Sequence, residues 1–188
     1  MKKKLIFFII ALLCSIFVGG GTYAYFTTNV VTHNVISSGK VDIELVELSS
    51  EDGKAFEDVS GVMPGQSHSK IVMAENVGES DAWIRFRLKK TITAADGKTK
   101  LDESLVKPDV NSEGWTEKDG WYYYDKALKP GEKTAPFISA VGFDTSMSND
   151  WKNAVISLDV YMQAVQVANN GSTVLEAQGW PLFGRGGV

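Results

Sequence analysis

Residues 154–167 read Ala154-Val155-Ile156-Ser157-Leu158-Asp159-Val160-Tyr161-Met162-Gln163-Ala164-Val165-Gln166-Val167. Ile156, Leu158, Val160, Met162 and Ala164 share one parity, and Val155, Ser157, Asp159, Tyr161 and Gln163 the other. Successive side chains of an extended chain point to opposite sides of a sheet, so this period of two predicts a strand with one clean apolar face. A face of that length must be covered by a second layer.

The same period recurs upstream. Val41-Asp42-Ile43-Glu44-Leu45 alternates. Trp83-Ile84-Arg85-Phe86-Arg87-Leu88 alternates as well, with Ile84, Phe86 and Leu88 expected inward and Arg85 and Arg87 outward beside Trp83. Lys70 to Met73, Trp121 to Tyr124 and Phe137 to Phe143 are short apolar or aromatic runs suited to strands. Pro64-Gly65 and Pro130-Gly131 are turn dipeptides. Several strands punctuated by Gly, Pro, Asn and Asp predict an all-β fold, a jelly-roll-like β-sandwich with a few short helices in its loops. Those helices are expected at 102–107, at 148–153 and at Thr173-Val174-Leu175-Glu176, which has capping-box spacing. Residues 94–120 are the most polar internal stretch and are expected to form an elaborated, partly exposed insertion. Residues 184–188 are expected to fray.

The chain has 188 residues, 44% of them hydrophobic and 22% charged, which suffices for one sizeable domain. A net charge of −4 argues against nucleic-acid binding. The single cysteine, Cys14, excludes an intramolecular disulfide framework.

The first segment has its own composition. Lys2, Lys3 and Lys4 precede an apolar run from Leu5 to Val18. As a helix that run spans about 21 Å, short of the roughly 30 Å hydrocarbon core. Thr22-Tyr23-Ala24 follows and offers a small residue before a cleavage point. This is the order of a secretory signal peptide over residues 1–24, with cleavage expected between Ala24 and Tyr25. A retained membrane anchor is the alternative reading, disfavoured by Gly19-Gly20-Gly21. Cleavage leaves 164 residues without cysteine and removes three of the 19 basic residues, for a net charge of −7.

The new N-terminus would carry Tyr25, Phe26, Thr27, Thr28, Asn29, Val30, Val31, Thr32, His33, Asn34, Val35 and Ile36. These residues are β-branched, aromatic or polar, with no Pro, Gly or formal charge. Nothing in them protects a strand edge. The segment 25–38 can fold back as the first strand of its own molecule, ahead of a domain over 39–183. It can equally add to a neighbour's open sheet edge, with main-chain hydrogen bonds giving affinity. Head-to-tail donation of this kind builds filaments rather than closed dimers.

No catalytic constellation is legible. His33 and His68 are the two histidines and neither sits in His-Glu-x-x-His. No Gly-x-Ser-x-Gly elbow is present. No catalytic residue, metal ligand or cofactor is therefore expected. Glu51-Asp52 and Glu57-Asp58 could hold a calcium ion through oxygen ligands, but they lack EF-hand spacing and read better as a solvated loop. Trp115, Trp121, Tyr122, Tyr123 and Tyr124 could form a platform for a sugar ring or belong to the core. The terminal region shows no Leu-Pro-x-Thr-Gly sorting signal, so attachment is expected by assembly.

Gly19-Gly20-Gly21-Thr22-Tyr23-Ala24-Tyr25-Phe26 resembles the leader end of exported proteins cleaved by the SipW-type signal peptidase, among them the TasA and camelysin family. Ile36-Ser37-Ser38-Gly39-Lys40-Val41-Asp42-Ile43 resembles that family's turn into its first long strand. Met63-Pro64-Gly65-Gln66, Glu75-Asn76-Val77-Gly78-Glu79 and Leu158 to Gln166 resemble later blocks of it. The resemblance implies a secreted jelly-roll sandwich kept in the extracellular matrix or at the cell surface. It further implies a homopolymeric biofilm fibre built by donation of the N-terminal segment, with a minor protein that anchors or nucleates it. It implies no nucleic-acid partner and membrane contact only through the uncleaved leader. Two other readings are a surface carbohydrate-binding or adhesin module and a camelysin-like metalloprotease.

Overall fold

The structure is a computed structural model in which residues 26–28, 34–38 and 41–182 are described. They form eleven strands in chain order: β1 (Phe26–Thr28), β2 (Asn34–Ser38), β3 (Ile43–Leu48), β4 (Val59–Val62), β5 (Ser67–Asn76), β6 (Ala82–Thr93), β7 (Val106–Val110), β8 (Trp115–Lys118), β9 (Trp121–Tyr124), β10 (Ile138–Phe143) and β11 (Val155–Gln166). One sheet runs β4-β1-β11-β6-β9-β8, with β2 also on β11; the other runs β3-β5-β10-β7. Between β2 and β11 the chain changes sheet at every connection except the β8–β9 hairpin, so the two layers are interwoven. This is the all-β sandwich that the alternating runs predict.

The hairpin follows from its turn chemistry. Lys118 stands opposite Trp121, and the two residues between, Asp119 and Gly120, have φ of 54° and 74°. A two-residue loop with both φ positive is the twist-matched hairpin turn, and Asp-Gly supplies it cheaply.

Two apolar clusters fill the space between the sheets. At one end Ile84, Phe86, Met162, Phe137 and Ile138 pack with Trp115 and Tyr124. Phe86 stacks on Trp115 at 5.1 Å and meets Phe137 at 4.9 Å. At the other end Ile156 and Leu158 pack with Val62, Val106, Phe143 and Trp151. All five residues of the apolar face of β11 are at most 2% exposed. Burial of side chains of this size contributes roughly 1.5–3 kcal/mol each, so this strand is the spine of the core.

Four expectations need correction. Residues 94–120 are not an insertion: β7 and β8 lie within them, and Val106 and Trp115 are core residues. The two helical turns at 103–105 and 149–151 are 3-10, capped by the side chains of Asp102 and Ser148. Thr173 to Glu176 makes only a turn, and the Glu176 carboxylate accepts from the backbone N–H of Ser172 rather than that of Thr173. The outward face of β6 is not plain surface. Trp83 is 6% exposed and packs with Trp121, Tyr123, Val165, Val174 and Ala177 in a third cluster outside the sandwich.

Candidate functional site

β11 has two neighbours, and they differ. On one side β6 pairs antiparallel with it along its whole length, from Val155 opposite Thr93 to Gln166 opposite Ala82. On the other side lies the N-terminal segment, running parallel. Thr27 and Thr28 stand opposite Val155 and Ile156, and Asn34 to Ser38 stand opposite Tyr161 to Val165. Between Thr28 and Asn34 the segment carries one residue more than β11 does between their partners, so the register slips once. Of the residues expected to act as a donor strand, Phe26, Thr27, Thr28, Asn34, Val35 and Ile36 thus line the flank of β11. Tyr25, Asn29, Val30, Val31, Thr32 and His33 lie outside the described residues, as does Ala24 at the expected cleavage point.

β1 is not the outer strand. β4 pairs with it antiparallel, Phe26 opposite Val62 and Thr27 opposite Ser60, and the skipped residue is Gly61 at φ 73°. An extra glycine in a left-handed conformation is a β-bulge of the kind that bends an edge. Among the described residues β4 has no other strand partner in its sheet.

Beneath β4 is a nearly filled crevice bounded by Phe56, Val59, Val62, Phe143 and Leu158. Lys70, on the inward side of β5, ends there and is 1% exposed. Its Nζ lies 2.7 Å from Glu47 Oε1 and 3.9 Å from the centre of the Phe56 ring. Burial holds the ammonium below its ordinary range, while the hydrogen bond and charge of Glu47 pull the other way. His68 is half-buried in β5. Its Nε2 is 3.3 Å from Gln66 Oε1 and its ring meets Phe143 edge-on at 6.0 Å.

The third cluster carries a half-buried cation. Arg85 lies between two indoles, 4.1 Å from the ring of Trp121 and 4.4 Å from that of Trp180. Its Nε and Nη2 donate to Gln163 Oε1 at 2.9 and 2.6 Å, and its Nη1 donates to the Tyr123 hydroxyl at 3.1 Å. Gln163 Nε2 in turn donates to the carbonyl of Pro181, and Trp83 Nε1 to that of Asn170. The C-terminal segment 170–182 is thereby strapped over the outside of β6, β9 and β11. Sequence reading placed Arg85 in solvent because the strap has no periodicity to announce it.

These placements bear on chemistry. Trp115, Trp121, Tyr123 and Tyr124 are each at most 8% exposed, and Tyr122 packs on Phe137 at 5.0 Å. Both faces of β9 are therefore covered, which leaves no open ring for a sugar there. Among the described residues no group of three or more His, Cys, Asp or Glu could hold a metal ion. Glu51, Asp52, Glu57 and Asp58 are exposed in the loop before β4. No helix among the described residues is long and apolar enough to cross a membrane.

The molecule is thus an all-β sandwich whose core strand β11 is flanked on one side by its own N-terminal segment. The family described as Camelysin metallo-endopeptidase matches residues 1–104, and the chain belongs to that family. The match takes in residues 1–24, the N-terminal segment and the strands through β6. No curated protein and no solved structure matches the chain.

Proposed function

We propose that the chain is a secreted structural subunit of an extracellular matrix fibre, and that it polymerises by exchange of the N-terminal strand. The observation that carries this reading is the flank of β11: an uncharged segment directly after the leader sits parallel on the main core strand. A parallel neighbour from another copy can occupy the same register with the same backbone hydrogen bonds, so self-complementation and exchange are isoenergetic to first order. Release of the leader frees the segment to move. No catalytic residue takes part, and the partners are other copies together with a minor anchoring or nucleating protein. The test is deletion of residues 25–37 from the secreted form. Filaments seen by electron microscopy should vanish while the remaining domain keeps its near-ultraviolet dichroism; filaments at normal yield would refute exchange.

The family's description as a metallo-endopeptidase favours a second reading. Casein cleavage that co-purifies with the chain and stops on chelation would establish it. The separation of His33 and His68 in sequence, without His-Glu-x-x-His, weighs against it.

A further inference from the structure

The outer faces of the two sheets carry opposite chemistry. On the four-stranded sheet, Val46 stands opposite Met73 and Leu48 opposite Ile71, all pointing away from the core. Leu48, Ile71, Met73 and Pro136, together with Ser69 and Ser139, line a shallow, mainly apolar groove of about 380 Å³ that Glu51 borders. An outward antiparallel face is ordinarily polar. The next outward pair along these strands is Glu44 opposite Glu75. Like charges directly across a ladder destabilise it. Lys133 Nζ reaches Glu75 at 3.3 Å, but no cation among the described residues pairs with Glu44, which is exposed. The groove is therefore apolar along its floor and acidic at its borders.

The seven-stranded sheet shows the reverse beyond the strap. Arg87 and Lys89 follow Arg85 on the outward side of β6, and Lys118 stands on the same side, opposite Trp121. Asp159, opposite Lys89, is the carboxylate of β11 on this face. The Arg87 guanidinium lies 5.8 Å from the Trp121 ring. A cationic face on a chain of net charge −4 runs against the average of the molecule.

We propose that the basic face of one copy docks on the acid-bordered groove of a second copy, a sheet-on-sheet contact that joins fibres side by side. Arg and Lys suit this role because their aliphatic stems can cover Leu48 and Met73 while the charged heads reach Glu44 and Glu51. Solvated ion pairs contribute little each, so the apolar floor supplies most of the affinity and the charges set orientation and encounter rate. The two patches lie on opposite faces of the sandwich, so the contact is heterologous and stacks without closing. The contact itself does not need strand exchange; only its consequence for fibres rests on the fibre reading.

The test uses the full secreted chain, two charge-reversal variants, Lys89→Glu/Lys118→Glu and Glu44→Lys/Glu51→Lys, and their equimolar mixture. Readouts are filament width by electron microscopy and self-association by sedimentation velocity at low and high sodium chloride. The expected result is wild-type bundles that fall apart with salt, loss of bundling in each variant alone, and recovery in the mixture. Bundling unchanged in both variants would overturn the proposal. So would loss in the basic-face variant alone, which would assign that face to an anionic partner other than this chain. Failure of the mixture to recover would overturn it too. Unbundled single filaments from wild type would sink this contact and leave strand exchange standing. Salt-sensitive association without filaments would do the opposite.

Discussion

The two flanks of β11 are built from the same kind of residue and held in different ways. The β6 flank is one continuous antiparallel ladder whose inward side chains, Ile84 and Phe86, are fully buried. The N-terminal flank is parallel, slips register once, and is made of a three-residue and a five-residue strand. Parallel pairing is slightly less stable per residue, and short strands have few bonds to lose. The outward side of β6 is further pinned by the strap through Arg85. One side of the main strand is thus held along its whole length, and the other by two short parallel stretches.

The largest expected effect comes from removing that difference. Thr28 and Ile156 are register partners, so Thr28→Cys/Ile156→Cys should lock the segment to its own molecule under oxidising conditions. Filament formation should stop, and a reductant should restore it; filaments forming in the oxidised state, with the intramolecular bond shown by mass spectrometry, would break the comparison. The β6 flank is tested by Phe86→Ala. The cavity left beside Trp115 and Phe137 should cost about 3–5 kcal/mol in urea unfolding, regardless of assembly state.

An intermediate effect is expected in the crevice under β4. Glu47→Ala leaves Lys70 buried without its carboxylate and should cost about 3 kcal/mol. The pH dependence has a definite sign. Burial depresses Lys70 below its ordinary value of 10.5, so the unfolded chain binds more protons than the folded one between the two values. Its contribution to stability therefore rises with pH through that alkaline window. Lys70→Met should flatten the rise, read from urea midpoints between neutral pH and pH 10.

The smallest effect should come from the strap. Trp180→Ala removes one of the two indoles beside Arg85 and should cost about 1 kcal/mol. Proteolysis after the variant should begin near residues 171–182 and spare β6. Equal cleavage in both places would mean that the strap does not protect the β6 flank separately.

Much of the sandwich was legible in the sequence. Alternation located β6 and β11 closely because each buries one face, and Trp121 to Tyr124 coincided with β9. The stretch 94–120 misled because β7 and β8 are edge strands: each needs only one side buried, and Pro108 is tolerated at an edge. Lys70 was opaque for another reason. A lysine at an inward position breaks the apolar pattern, and its partner Glu47 lies on a different strand, 23 residues away. The fate of the N-terminal segment was legible as a strand but not as a neighbour of β11, since a parallel pairing between the two ends of a chain leaves no local signal. What register adds is the place of the segment, parallel on β11 of its own chain.

The glycine bulge in β4 has one more consequence. The strand that faces outward beyond β1 is four residues long and bent at Gly61. Such a rim offers a poor template for the next backbone. At the β1 margin, then, a further backbone finds little to pair with, which limits disorderly β-aggregation along that part of the sheet.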